Sequence, residues 1–306
     1  MSGADNAAKT TPAETASSSS GCNPADSSPA ADRGAAQPAG ATGQHSPGHI
    51  VIAREGGIAR IVLTNPHRYN AMSLAMWDGL AQAVAELDAD PDVRVIALSG
   101  AGEKAFVSGA DISEFATQRD NPAGVANYER AVNAAQGALL NARKPTVACI
   151  RGVCMGGGIG LALSCDLRIA NHSARVRMPA ARLGLGYTFQ GIERAVQVMG
   201  AAHAMELFFL AQTLNGERAE RMGLVQRAVP DDEYEPTVAT WLRDIAGNAP
   251  LTIHAAKFAT QQALLDPGQR RLEEVALAVR ACFESEDYQE GRAAFAQKRT
   301  PAFKGR

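Results

Sequence analysis

The chain has 306 residues, a net charge of −2 and 46% hydrophobic residues, enough for one large domain or two modest ones with a real core. A near-neutral balance without a basic patch excludes an ordinary nucleic-acid binder. No apolar run reaches the roughly 18 residues that a membrane span needs.

Residues 1–48 form a Ser/Ala/Gly/Pro-rich tract with no periodic apolar face. Such a composition cannot bury enough surface to offset its conformational entropy, so this stretch reads as a disordered tail. It lacks the apolar segment of a secretory signal, and Asp5, Glu14, Asp26 and Asp32 outnumber Lys9 and Arg33, unlike a transit peptide. The five cysteines are odd in number, and no histidine stands at zinc-ligand spacing. Cys149, Cys154 and Cys165 lie in or beside apolar segments, which suits free thiols in a reducing cytoplasm and no metal site.

Ordered structure is expected from about Ile50. Ile50 to Arg54 and Ala59 to Leu63 are short β-rich runs around Glu55-Gly56-Gly57, a hairpin pattern. Leu74, Trp77, Leu80, Val84 and Leu87 recur at helical spacing and stop before Pro91. Val93 to Leu98 is a continuous apolar strand, Ala123 to Leu140 fits a long helix, and Pro145 to Ile150 is a second buried strand. A glycine cluster and a short helix through Ser164 follow, then short strands at Leu167–Ala170 and Arg175–Met178. From Glu193 onward the spacing predicts helices over Arg194–Met199, Ala202–Leu210, Gly216–Met222, Pro236–Gly247, Thr252–Leu265 and Arg271–Ser285. Strands alternating with helices, then a run of helices, predict an α/β body with an α-helical C-terminal portion. Neither GxGxxG after the first strand nor GxxxxGK[ST] is present, so dinucleotide and P-loop chemistry lose their usual support.

Two glycine-containing segments carry the functional signal: Lys104 to Glu114, after the strand ending at Leu98, and Arg151 to Gly160, after the strand ending at Ile150. Each places small residues where a strand turns into a helix, so backbone N–H groups can point into a cleft. The first N–H groups of a helix are unpaired and its dipole is positive there, which favours negative charge. Two such ends facing one another would make an oxyanion hole. The plainer alternative is that these glycines only permit tight strand–helix packing.

These segments, in this order, resemble the enoyl-CoA hydratase/isomerase (crotonase) family from about Ile50 to Arg306. Asn65-Pro-His-Arg-Tyr-Asn-Ala-Met-Ser73 is similar to the family's first loop, which contacts coenzyme A. Phe106-Val-Ser-Gly-Ala-Asp-Ile112 is similar to its oxyanion segment, and Gly152-Val-Cys-Met-Gly-Gly-Gly158 to its glycine triplet. Ser164 to Ala170, Thr213 to Ala219, Gly223-Leu-Val225 and Ser285 to Arg299 resemble the later strand, the helical hairpin and the terminal helices. The resemblance implies a crotonase-like spiral of β-β-α units over 49–249 and a C-terminal helical trimerisation region over 250–306. It implies an acyl-CoA thioester as substrate, with no cofactor besides the coenzyme A that the substrate carries. The implied oxyanion donors are the N–H groups of Ala110 and Gly157. Arg68, Ala71, Ser108, Gly109, Asp111, Ile112, Met155, Gly156, Gly160, Pro179 and Ala180 fall on the family's substrate-lining segments. Phe295 and Lys298 match positions that reach the coenzyme A of a neighbouring subunit in a trimer or dimer of trimers. Asp111 reads as ordering its own turn rather than as a base, and Arg68 as either a phosphate-binding cation or a surface arginine.

The pattern breaks at the acids. Hydratases of the family use two glutamates, and the matching positions here are Gly160 and Ala180, which can neither activate water nor deliver a proton. The adjoining Leu183-Gly-Leu-Gly-Tyr-Thr-Phe-Gln-Gly191 is similar to methylmalonyl-CoA decarboxylases of the family, with Tyr187 at a matching tyrosine. Those decarboxylases carry a histidine where this chain has Ala110, so the likeness is local. Tyr187 is therefore either a phenol that places a carboxylate or a packing residue. Glu114 and Glu193 read as helix-face residues, Tyr128 and Glu129 as members of a helix that roofs the acyl pocket, and His172 and His203 as structural or surface. The expected function is an acyl-CoA enzyme whose chemistry is independent of glutamate, such as decarboxylation. The alternatives are an atypical hydratase or isomerase, or an acyl-CoA-binding homologue with little catalysis.

Overall fold

A computed structural model of the chain describes residues 47–111, 114 and 121–306. All but the last two residues of the expected tail, and Ile112 among the expected site residues, lie outside them. The chain begins with an antiparallel hairpin, β1 (His49–Glu55) and β2 (Ile58–Thr64), turned at Gly56-Gly57. Both glycines have positive φ, which a two-residue hairpin turn requires. α1 (Leu74–Ala89) follows, with Ser73 accepting from the Met76 amide at its N-cap.

Three strand–strand–helix turns come next. β3 (Val95–Gly100) leads to β4 (Ala105–Val107) and α2 (Pro122–Asn141); β5 (Thr146–Ile150) leads to β6 (Val153–Met155) and α3 (Gly157–Ser164). The third turn joins β7 (Leu167–Asn171), β8 (Arg175–Arg177) and α4 (Ala180–Leu183). In each turn the first strand enters a six-stranded sheet of order β1-β2-β3-β5-β7-β9, where β9 is Arg227–Val229, and the second enters a three-stranded sheet, β4-β6-β8. All pairings except β1–β2 are parallel. This is the expected spiral of β-β-α units.

Both faces of the large sheet are covered, which explains why its strands read as unbroken apolar runs. Side chains alternate along each strand, so Ile96, Leu98, Ala148 and Ile150 join the core beneath α1, α2 and α3. Val95, Ala97, Val147 and Cys149 face the other way, against Val238 and Leu242 of α7 (Tyr234–Gly247). Each fully buried Val, Leu or Ile contributes about 1.5–3 kcal/mol of transfer free energy.

The helical part comprises α5 (Phe189–Leu210), α6 (Gly216–Arg221), α7, α8 (Pro250–Ala263), α9 (Leu272–Glu284) and α10 (Glu286–Gln297). The two helices expected over Arg194–Met199 and Ala202–Leu210 are present within Phe189–Leu210, separated at Gly200, whose φ of 77° and ψ of 160° break the helical path. α8 is tied to the spiral through Lys257 Nζ, which donates to Asp166 Oδ2 at 2.7 Å and to the Lys144 carbonyl at 3.0 Å. Asp166 also accepts from the Thr146 amide and hydroxyl, so this carboxylate links β5, β7 and α8. Among the described residues no helix is long and apolar enough to cross a membrane.

Cys149, Cys154 and Cys165 are buried free thiols, and burial pushes the thiols of Cys149 and Cys165 up to about 12 and Cys154 further still. Only thiolates react readily. Iodoacetamide at about pH 8 should therefore leave these three unlabelled in the native protein and modify them after unfolding, with the partly exposed Cys282 labelled ahead of them. Peptide mass mapping reads this directly, and early labelling of any of the three would contradict the packing.

Candidate functional site

The loop between β2 and α1 is built around two left-handed residues, Tyr69 (φ 51°) and Asn70 (φ 55°). Asparagine tolerates that conformation, and its side chain replaces the backbone partners such a turn gives up. Asn70 Nδ2 donates to the carbonyls of Ala101 and Ala105, while its Oδ1 accepts from the Asn65 amide at 3.0 Å. The buried Ala71 gives its carbonyl to Asn65 Nδ2 at 2.9 Å.

This loop clamps the segment that follows β4. Met72 donates to the Gly109 carbonyl at 2.8 Å and accepts from the Asp111 amide at 2.9 Å, a parallel bridge around Ala110. Ser108 donates from its amide to Tyr69 and from Oγ to the Arg68 carbonyl, each at 3.0 Å. Arg68 Nη1 reaches Asp111 Oδ1 at 3.1 Å, and Asn65 Nδ2 lies 3.5 Å from Asp111 Oδ2. Asp111 is thus a buried carboxylate that ties its segment to the loop between β2 and α1, and it holds the exposed Arg68.

In an extended segment successive amides point to opposite sides. With Gly109 and Asp111 committed to Met72, the Ala110 N–H faces away from that loop, towards the start of α3. Gly156 is the N-cap there, with φ 50° and ψ −112°, a conformation that favours glycine. Gly157 is the first helical residue, so its N–H has no partner within the helix. A Cβ placed on Gly157 would lie 3.8 Å from the Ala110 nitrogen, and one on Gly109 would lie 4.0 Å from the Gly157 nitrogen. Among the described residues neither of these two amides has a hydrogen-bond partner. Two adjacent, fixed, unpaired donors suit an oxygen that gains negative charge.

The triplet's three glycines do different work. Gly158 permits close packing, since a Cβ there would meet the Val107 carbonyl at 2.3 Å. Gly157 instead faces the open side, with the Trp77 ring edge 3.3 Å from where its Cβ would be. Trp77 is buried and donates from Nε1 to Tyr128 Oη at 2.8 Å, which fixes the ring beneath the two amides. Of the two, Gly158 serves close packing, while Gly157 borders the space beside the Ala110 amide.

One turn along α3, Gly160 faces two side chains from elsewhere. A Cβ on it would lie 2.5 Å from Gln136 Nε2 of α2 and 3.4 Å from Tyr187 Oη. Tyr187 packs tilted on Phe208, with ring centroids 5.0 Å apart, and crosses Gly191 so closely that any side chain there would strike it. Burial pushes its phenol up to about 12, so it holds its proton at neutral pH. Among the described residues neither the Gln136 amide nor the Tyr187 hydroxyl has a hydrogen-bond partner. A cavity of about 270 Å³ opens beside Gly160 between α2, α3 and α5.

Gln136 was not among the residues singled out from the sequence. Its signal was there, as a polar residue bordering the buried stripe Tyr128, Ala131, Ala135 and Leu139. The acids are accounted for. Glu114 Oε2 accepts from the Leu74 amide at 2.9 Å and so caps α1, while Glu129 and Glu193 are exposed. Met155 ends β6, where Gly156 donates to the Arg177 carbonyl, and Pro179 caps α4 ahead of the buried Ala180. His172 and His203 are half-buried, outside these segments. Phe295, 88% exposed, and Lys298 lie at the end of α10 and do not line the cavity beside Gly160.

The family model described as enoyl-CoA hydratase/isomerase matches residues 53–306. A short-chain-enoyl-CoA hydratase of Clostridium acetobutylicum is 31% identical over 251 residues, covering 82% of this chain and 95% of the relative. A probable enoyl-CoA hydratase of Mycobacterium bovis is 34% identical over 260 residues, covering 83% and 97%. The crystal structure of an enoyl-CoA hydratase/carnitine racemase from Magnetospirillum magneticum superposes with a TM-score of 0.79 at 35% identity, covering 84% of this chain and 96% of that one. With matching sequence, spiral and loop order, the chain belongs to the enoyl-CoA hydratase/isomerase family.

Proposed function

We propose that the chain acts on an acyl-CoA thioester whose enolate is held by the amides of Ala110 and Gly157, and that its reaction is a decarboxylation. The observation that carries this reading is the filling of the space over Gly160 by an amide and a phenol, with no carboxylate at position 160 or 180. Addition of water needs one group to take a proton and another to give one. Decarboxylation needs no base, and its only proton transfer follows the bond breaking. The bond from the α-carbon to the carboxylate breaks, its electron pair moves onto the thioester oxygen between the two amides, and carbon dioxide leaves. The α-carbon then takes a proton from water, and the hydroxide left behind is neutralised by the solvent. Each donor aimed at that oxygen contributes about 3–4 kcal/mol in a water-excluded site. Tyr187, neutral at working pH, orients the departing carboxylate without the ionic hold that would stabilise the ground state. Hydration is the second reading, favoured by what the curated relatives are called.

Hydration of crotonyl-CoA should therefore run far below that of a two-glutamate hydratase, since each acid–base group contributes about 10²- to 10⁴-fold. Gly160→Glu with Ala180→Glu should raise hydration only when Gln136→Ala is added, because Gln136 Nε2 sits 2.5 Å from the new Cβ. Tyr187→Phe should lower carbon dioxide release from malonyl-type thioesters and leave coenzyme A affinity unchanged. Vigorous hydration by the unmodified protein would overturn the reading in favour of the second.

Gly157→Ala places a methyl 3.8 Å from the Ala110 nitrogen, where the thioester oxygen is proposed to sit, and asks only the Trp77 ring edge to yield. Turnover should drop by about 100-fold or more with the melting temperature nearly kept. Unchanged turnover in the folded variant would refute the assignment.

The exposed Leu272, Leu277, Phe283 and Phe295 of α9 and α10 support assembly as a trimer or dimer of trimers, with Phe295 and Lys298 completing a neighbour's coenzyme A site. Light scattering at micromolar concentration should give a multiple of three; a monomeric mass would sink this.

A further inference from the structure

Gln136 enters the site from a helix that carries none of the family-like segments, yet its amide takes the space where a side chain at position 160 would begin. Its partner across that space is the Tyr187 hydroxyl, from the loop between α4 and α5. Gln136 lines the cavity beside Gly160 together with Asn133, Gly137, Gln190 and Arg194. Arg194 is its one charged lining residue, and that guanidinium already donates to the Leu163 carbonyl at 2.7 Å and to Gln197 at 3.4 Å. The two groups that face the space over Gly160, the Gln136 amide and the Tyr187 hydroxyl, are neutral, whereas Arg194 keeps its Nη2 uncommitted among the described residues at the cavity wall. A half-buried amide and phenol without hydrogen-bond partners lose their water when an acyl group enters, and an apolar chain would leave both unpaired at a cost. A group with acceptor oxygens would satisfy both.

We propose that Gln136 and Tyr187 form a neutral clamp for a carboxylate carried by the acyl group, so that the site selects carboxylated acyl-CoA thioesters over plain hydrocarbon ones. The inference rests on the acyl-CoA reading above and sharpens it by naming the substrate class. The chemistry of the clamp fits a carboxylate that must become neutral carbon dioxide. A cation would hold the charged ground state more tightly than the transition state, whereas an amide N–H and a phenol O–H orient it with a weaker hold. Gln136 is the positioning member, since its amide reaches the space above Gly160 while the backbone donors sit one helical turn away at Gly157.

The test compares malonyl-CoA with butyryl-CoA, which lacks the carboxylate, by calorimetric binding to the full chain and by carbon dioxide release. The unmodified protein should prefer malonyl-CoA. Gln136→Leu should weaken malonyl-CoA binding by about tenfold or more, the loss expected for one hydrogen bond to a charged group, and leave butyryl-CoA binding unchanged. Gln136→Glu, of the same size but like charge, should weaken malonyl-CoA binding further. Equal effects of Gln136→Leu on both thioesters, or no preference in the unmodified protein, would overturn the clamp. A preference that Gln136→Leu abolishes, with no carbon dioxide released by any form, would keep the clamp and remove decarboxylation. Loss of binding to both thioesters in the unmodified protein would instead remove the acyl-CoA reading, and the clamp with it.

Discussion

The bridge between Met72 and the segment Gly109–Asp111 is the constraint on which the site depends. It uses the carbonyl of Gly109 and the amide of Asp111, and so turns the amide between them outward. Everything around the bridge keeps it in register. Asn70 holds the carbonyls of Ala101 and Ala105, Ser108 binds back to Tyr69 and Arg68, and the buried Asp111 carboxylate ties down Arg68. Removing backbone partners from a buried amide is costly. Ala110 and Gly157 are only half-buried, so their unpaired amides escape most of that cost while staying fixed at adjacent positions, and nowhere in the mechanism proposed are those donors asked to move. Fixed donors that need no reorganisation are what enolate stabilisation requires.

Much of this was legible in the sequence because it follows from local rules. Buried strands of a doubly covered parallel sheet must be apolar throughout, so β3 and β5 stood out, and Leu74 to Leu87 carries the helical spacing of α1. The hairpin glycines and the triplet at 156–158 mark places where the backbone needs positive φ or close approach, and the structure uses Gly156 for the first and Gly158 for the second. The three-residue strands β4, β6 and β9 were not read as strands. Segments that short carry no period, and they are extended only because long-range neighbours pair with them.

Gln136 was illegible for a different reason. Its role comes from a contact between α2 and α3 over a residue that has no side chain, and a missing side chain leaves no trace of what fills the space. From the sequence, Gly160 appeared as an absence of acid. In the structure it is an opening through which another helix presents an amide. Glu114 shows the converse, an acid close in sequence to the site whose carboxylate is spent on the first turn of α1. The sequence placed it on a helix face; hydrogen-bond geometry makes it a cap of a different helix.

The division between backbone and side chains explains how one scaffold can host more than one reaction. The proposed oxyanion donors are main-chain groups, fixed by loop register and helix start, so substitutions at 160 and 180 do not disturb them. The side chains that would handle protons or carboxylates come from α2, α3 and the loops flanking α4, and these can change independently as long as the space over position 160 stays filled. Here it is filled by neutral donors from two elements, Gln136 and Tyr187, each held by packing rather than by ionic partners. A neutral clamp opposite two fixed amides can orient a group that leaves as a neutral molecule, but it has no base with which to make a nucleophile of water. Restoring one acid into that space must first displace the amide that occupies it, so on the proposed reading the reaction type would be set by a contact between helices as much as by the residues lost.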